Sequence, residues 1–472
     1  MNIELADTKK RTPVRLVRRR QGLLARLFVP VDIASLAFFR IAFGAVMLWE
    51  VWRYFNYGWI SRYYIEPGFH FTYFGFDWIK PWPGDGMYYH FFALGLLAAC
   101  IMAGFLYRLS ATLFFLGFSY VFLLEQARYL NHFYLVALIS LVLIFVPAHR
   151  ALSLDSLIRP ALRSETVPAW ALWLVRAQLA VPYIFGGIAK LNPDWLAGEP
   201  IRTWLAARTD FPVIGSFFTQ EWMVYLFAYG GLLLDLFVVP ALLWPRTRPF
   251  AIMAAFAFHL TNNSLFHIGI FPWFMMAGTL MFLPPHWPRF FLRAWKRPRG
   301  AARRYPQAHT GRQKYAITGL LGLFMAYQVI MPLRNHLYPG DVAWTEEGHR
   351  FSWRMKLRDK EATAVFYATD PVSGRTWKVR TKDYLQSWQK TEMESRPDMI
   401  LQFAQFLAAD FRRQGYDRIE IRAQVMASLN GRPDQLLIDP NVDLAAQPRT
   451  LMSTSWILPL DGLRHARGVA EK

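Results

Sequence analysis

The sequence predicts a polytopic α-helical membrane protein of about nine transmembrane segments, followed by a soluble, strand-rich α+β domain on the outer side. Three observations carry this prediction. The 472-residue chain is 54% hydrophobic and 17% aromatic, with its apolar residues gathered into blocks of roughly 20, the length needed to cross a bilayer core. Basic residues between the blocks alternate between many and few. Beyond about residue 337 the pattern changes to short runs of alternating polarity.

The apolar blocks lie near 35–57, 87–107, 110–127, 131–147, 168–190, 221–245, 249–264, 268–284 and 315–335. The seventh and eighth are short, and only Asn262-Asn263-Ser264-Leu265-Phe266-His267 separates them, so a tilted or re-entrant course is open there. Lys and Arg in the loops number 23 on one side, from the Lys9–Arg26 tail to the Arg289–Lys314 loop, against 5 on the other: Arg62, Lys80, Arg128, Arg202 and Arg208. By the positive-inside rule this places the N-terminus in the cytoplasm and the C-terminal region outside. The expected division is a basic cytoplasmic tail over 1–30, a transmembrane domain over 31–336 and an extracytoplasmic domain over 337–472.

The net charge of +20 is therefore a topological signal that also favours contact with anionic lipid. No aromatic-interleaved basic motif points to nucleic acid. No small-residue cleavage site follows the basic tail, so the first span is expected to remain as an anchor. Cys100 is the sole cysteine, so no intramolecular disulfide is available.

In the outer domain, Phe351–Leu357, Ala362–Ala368, Thr376–Arg380 and Ile419–Leu429 read as strands, with a turn at Asp370-Pro371-Val372-Ser373-Gly374. Pro397 to Arg413 reads as an amphipathic helix with Ile400, Phe403, Phe406, Leu407 and Phe411 on its apolar face, ended by Gly415. About 130 residues suffice for a separate core. Residues 1–20 and 464–472 read as disordered tails.

Several polar residues converge in this topology. Lys190 is a lone amine at the end of the fifth apolar block, before the polar turn Asn192-Pro193-Asp194. An ammonium there is poorly solvated, which favours the neutral, basic amine; the alternative is a lysine that snorkels to the headgroups. Asn131 and His132 open the fourth span at the same face, and His259, Asn262 and Asn263 share one face of the seventh. Together they offer bases and donors inside an apolar wall. Separately, each has a plain role as cap or helix contact. Arg40, Glu50, Arg176 and Asp235 lie inside spans and suggest interhelical ion pairs of unassigned partners. No cluster has metal-ligand spacing, no glycine loop would cradle phosphate, and no Gly-x-Ser-x-Gly elbow occurs.

From about 30 to 460 the chain resembles the vitamin K-dependent γ-glutamyl carboxylase family, of bacterial type. The resemblance runs through Ala34-Ser35-Leu36-Ala37-Phe38-Phe39-Arg40, Asn131-His132-Phe133-Tyr134, Ala189-Lys190-Leu191-Asn192-Pro193-Asp194-Trp195 and Leu232-Leu233-Leu234-Asp235-Leu236. It continues through Phe258-His259-Leu260-Thr261-Asn262-Asn263, Phe351-Ser352-Trp353-Arg354-Met355, Ile438-Asp439-Pro440-Asn441 and Thr454-Ser455-Trp456.

The resemblance implies an inner-membrane enzyme that uses reduced vitamin K (or another reduced naphthoquinone), O2 and CO2, with no metal. In that family a lysine amine deprotonates the hydroquinone, whose reaction with O2 gives a strong alkoxide base and ends as the epoxide. That base takes a γ-proton from a glutamate of a peptide or protein, and CO2 adds to the carbanion. By match, Lys190 is the base and His132 stabilises the carbanion. Asn131, His259, Asn262 and Asn263 contact the quinol, and Arg208 contacts the substrate. Two features depart from vertebrate members: Ala189 replaces the first of two adjacent lysines, and no disulfide joins the domains. Quinol oxidation uncoupled from carboxylation, or a non-enzymatic membrane protein whose outer domain binds a partner, are the alternatives.

The charge asymmetry generates a direct test. A periplasmic reporter fused after residue 472 should be active and a cytoplasmic one silent. The opposite pattern would overturn the odd number of crossings.

Overall fold

The computed structural model describes residues 22–266, 268–291 and 310–461. Both tails expected to be disordered, most of the 289–314 basic loop and His267 lie outside them. A helix stands at each apolar block: α1 (Ala34–Asn56), α2 (Gly86–Ala103), α3 (Tyr107–Leu124), α4 (Asn131–Phe145), α5 (Ala169–Ala189), α6 (Glu221–Leu243), α7 (Arg248–Phe266), α8 (Phe271–Thr279) and α9 (Gly311–Leu333).

Among the described residues, six of these (α1, α2, α3, α5, α6 and α9) are long and apolar enough to cross a membrane. The expectation of nine spans is met only to that extent. α4 and the 271–282 segment are shorter apolar helices, and α7 carries Arg248, His259, Asn262 and Asn263 along its length. Gly104 ends α2 in the left-handed conformation (φ 66°). A side chain there would collide with the Arg40 guanidinium, so the glycine makes room for a buried cation.

The intramembrane charges resolve into two kinds of contact. Glu50 pairs within its own helix, 2.6 Å from Arg53, and Asp235 pairs with Lys190. The arginines instead bond to backbone carbonyls. Arg40 donates to Leu152 O at 2.5 Å, in the bend before a short helix, and Arg176 donates to Met281 O at 2.7 Å and Leu283 O at 2.8 Å. The latter two end a helical turn, where carbonyls carry the negative end of the helix dipole and are natural acceptors for a guanidinium.

Residues Pro30–Asp32 (β1) and Thr166–Pro168 (β2) form a short antiparallel ladder at the foot of α5. The outer domain holds a four-stranded antiparallel sheet made of β3 (Lys360–Thr369), β4 (Thr376–Val379), β5 (Glu420–Leu429) and β6 (Gln435–Leu436), in the order β4-β3-β5-β6. α10 (Ser387–Glu394) and α11 (Pro397–Arg413) complete it. The expected turn closes the β3–β4 hairpin, with Gly374 at φ 71° and its N–H donating to Asp370 O at 2.9 Å. α11 buries Ile400, Phe403, Leu407 and Phe411, as its 3.6-residue period requires.

Phe351–Leu357 is not a strand. Phe351, Trp353 and Lys356 all adopt positive φ (65°, 56° and 48°), which breaks any ladder. What looked like a run of strand formers is a loop whose aromatic side chains are consumed by tertiary packing. Trp353 is buried in the core of the membrane helices, and Phe351 packs against the same core. In return, Phe71 and Ala127, from loops of the membrane region, are buried in the core of the outer domain. The two regions interpenetrate.

Polar contacts fix this exchange. Asp194, four residues beyond Lys190, accepts two bonds from Arg432 at 2.7 and 2.8 Å and one from Asn430 at 2.7 Å. Asp398 accepts from Gln126 and Arg350 at 2.9 and 2.6 Å. Gln389 donates to Glu125 at 3.0 Å and Phe69 O at 2.8 Å. Burial would raise the Asp398 carboxyl, but Arg350 outweighs it and holds the group below its ordinary range. At Glu125 burial wins over His70, and the carboxyl sits above its ordinary range.

The Asp194 clamp replaces a covalent link between the regions. Asp194→Ala leaves Arg432 without its buried carboxylate, and the expected loss is about 3–5 kcal/mol. Thermal unfolding and limited proteolysis near residue 432 should both register it, whereas an unchanged melting temperature would show that apolar packing alone holds the domains.

Candidate functional site

The site is built on α5 and α6, which approach closely because glycines face the contact. A Cβ on Gly187 would lie 3.0 Å from the Leu236 nitrogen and 2.8 Å from its side chain, and one on Gly186 would lie 3.3 Å from Asp235 Oδ2. Lys190 caps α5, and its aliphatic stem passes Gly231, where a Cβ would be 4.0 Å from Lys190 Cε. This path brings Nζ to 2.5 Å from Asp235 Oδ2 and 3.5 Å from Gly186 O, beside the Trp195 ring at 5.1 Å. Both partners are buried, at 6% and 5% exposure. The lysine read from sequence as a lone amine has a carboxylate partner, and it does not snorkel to the surface.

Two turns before Lys190, on the same face of α5, Tyr183 Oη shares a 2.6 Å hydrogen bond with His259 Nε2 of α7. The other ring nitrogen, Nδ1, is buried without a protein partner, and the residue is only 1% exposed. The Phe271 ring lies between two histidines, with centroids 6.0 Å from His259 and 5.8 Å from His132. His132 is thereby half-buried in the same aromatic wall. The structure links His259 to Tyr183 and, across Phe271, to His132, with Lys190 two turns along α5 from Tyr183. Sequence reasoning passed over these two aromatics because an aromatic in an apolar block carries no signal of its own.

The other expected residues have more local placements. Asn131 accepts from Tyr129 Oη at 2.9 Å and donates to Arg354 O of the outer domain at 3.4 Å. Asn262 and Asn263 are half-buried on α7, one turn beyond His259. Arg208 donates to Leu265 O and Ser264 O at the end of α7 and lies 3.8 Å from Asp210. Its guanidinium thus caps a helix, a role that accounts for the charge without a substrate.

The outer loop seals this assembly. Phe351 N–H donates to Tyr129 Oη at 2.6 Å, Trp353 stacks near Tyr134 at 5.1 Å, and Met355 reaches the Gly186 turn. Leu357 packs in one cluster with Ala189 and Trp195. Lys356 Nζ lies over Trp204 and Phe266 at 5.3 and 5.5 Å, and burial pulls this amine below its ordinary value. It is a second lysine near the site that sequence order, 166 residues away, concealed.

A cleft of about 480 Å³ opens between the outer domain and the end of α9, lined by Tyr73, Arg334, Arg350, Phe351 and Asp398 among others. An internal void of about 30 Å³ lies beside Glu50 and Arg128. Neither is lined by Lys190. Among the described residues, no three His, Cys, Asp or Glu side chains gather as a metal site would need.

Residues 28–287 match the HTTM domain family, and residues 313–462 match the lumenal domain of vitamin K-dependent gamma-carboxylase. The chain belongs to the vitamin K-dependent gamma-carboxylase family. The two matches together span the membrane helices, the sealing loop and the sheet of this family member, and the second begins inside α9. No solved structure matches the chain.

The close approach of α5 and α6 can be tested by substitution. Gly187→Ala places a methyl against Leu236 backbone and should cost about 1–3 kcal/mol. Gly186→Ala comes to 3.3 Å only from the Asp235 side chain and is otherwise in ordinary contact with Met355 and the Trp353 carbonyl, so it should be milder. Equal melting temperatures for the two variants would contradict the helix spacing described.

Proposed function

We propose that the protein is a membrane-embedded, vitamin K-dependent γ-glutamyl carboxylase that couples oxidation of a reduced naphthoquinone to carboxylation of glutamate in a peptide or protein. The observation that carries this reading is the buried Lys190 amine, held in an apolar, aromatic-walled site that faces a membrane domain. Family membership supports the reaction class. When bound, the reduced quinone with O2 supplies the strong base that removes the γ-proton, and CO2 adds to the carbon so exposed.

The residues present suit such a guest. A hydroquinone presents two phenolic O–H groups on a flat ring. Phe258, Phe271 and Tyr183 supply ring contacts around His259, and the unpartnered His259 Nδ1 can bond one oxygen. Lys190 Nζ takes the proton of the other, acting as general base in a water-poor site. His132, across Phe271 from His259, would interact with the deprotonated glutamate. The apolar membrane helices would give lipid access for the quinone, and the C-terminal domain aqueous access for the substrate.

Lys190→Ala should abolish quinone epoxide formation without unfolding the protein. Lys190→Arg should fail too, since a guanidinium stays protonated. Activity in Lys190→Ala would transfer the role to Lys356, and activity in Lys190→Arg would show that charge, not basicity, is used. His132→Ala should lower CO2 fixation by about 2–4 kcal/mol of transition-state stabilisation while epoxide still forms. Measuring epoxide and fixed label separately, beside the melting temperature, decides: both activities falling with stability would leave His132 a helix cap.

A further inference from the structure

We propose that Asp235 is the positioning residue of Lys190, aiming its amine and neutralising the charge that proton transfer creates there. This rests on the reading of Lys190 as a base and adds the residue on which that base depends.

The geometry is specific. A neutral amine has two N–H bonds and one lone pair. Asp235 Oδ2 at 2.5 Å and Gly186 O at 3.5 Å accept the two N–H bonds, which leaves the lone pair for an incoming acid. A lysine side chain otherwise samples many rotamers, so two fixed partners hold Nζ in one place at the end of a flexible stem. Gly186 leaves room for the carboxylate, since a Cβ there would lie 3.3 Å from Asp235 Oδ2, while the stem runs in ordinary contact distance of Gly231.

The chemistry explains why a carboxylate belongs there. When Nζ accepts a proton from a phenolic acid, an N–H bond forms, the acid's O–H bond breaks, and its electron pair stays on oxygen. Unassisted, that step creates a positive charge on the amine inside an apolar wall, where charge separation is strongly opposed. With Asp235 ionised, the new ammonium completes an ion pair, and the negative charge passes to the acid's oxygen. The total charge of the site does not change.

A purely structural staple is the competing account. Buried ion pairs contribute little net stability, because desolvation offsets the Coulombic gain. α5 and α6 are already joined by the apolar Gly187–Leu236 contact. Elsewhere in the membrane region Arg176 is held by the Met281 and Leu283 carbonyls, so a carboxylate is not required merely to bury a cation.

Two readouts that need no turnover test the pairing. With the full-length protein in detergent or nanodiscs, acylation of Lys190 by a hydrophobic amine-reactive ester is followed by mass spectrometry. Asp235→Asn should accelerate labelling about tenfold, within the coupling range of contacting charged groups. Melting temperatures of Lys190→Met, Asp235→Asn and the double variant should show the double more stable than either single. Unchanged labelling together with additive stabilities would overturn the proposal.

Turnover then separates positioning from packing. Asp235→Asn should lower kcat for epoxide formation about 100-fold with little change in KM, and Asp235→Glu should restore part of it. Wild-type kcat in a folded Asp235→Asn protein would also overturn the proposal. If wild-type protein forms no epoxide, the proposed function fails, and labelling and the stability cycle still judge the pairing on their own.

Discussion

Everything in the candidate site follows from how close α5 and α6 can come. A side chain at 187 would press on the Leu236 backbone, and one at 186 would crowd the Asp235 carboxylate. These two glycines let a lysine stem and a carboxylate meet between two otherwise apolar helices. Membrane helices associate through such small residues, because lipid gives no hydrophobic drive for them to pack. Here the same device that joins the helices also determines where an amine can sit.

Around that slot the molecule spends its polar groups sparingly. Arg40 and Arg176 bond to backbone carbonyls, and Glu50 pairs with Arg53 of its own helix. Among the buried polar atoms without a protein partner, His259 Nδ1 is one that faces the aromatic wall shared with His132. An unsatisfied nitrogen at that depth is expensive in a bare protein and reasonable in one that receives a hydrogen-bonding guest.

Much of this was legible in the sequence. Blocks of apolar residues placed the helices within a few positions, and the 3.6-residue period of Ile400, Phe403, Leu407 and Phe411 fixed α11 to its ends. Lys190, His132 and His259 stood out because polar atoms are rare in apolar blocks. Two things were out of reach. The Lys190–Asp235 pairing depends on the spatial neighbourhood of helices 45 residues apart, and no local pattern encodes it. Phe351–Leu357 has strand-like composition, yet its aromatics were selected to fill the membrane core, so tertiary packing overrode propensity. Of the nine expected spans, six are met by helices long and apolar enough among the described residues, while α4 and α8 are shorter and α7 carries polar residues along its length.

The mutual insertion of Trp353 and Phe71 has a bearing on biogenesis. Ribosomes deliver α5 and α6 to the membrane before residue 351 has been made, so the lysine slot is first assembled without its cover. Only when the last third of the chain has emerged can Trp353 descend and the outer core close over Phe71 and Ala127. Synthesis order therefore puts the α5–α6 pairing before the closure of the outer core over it.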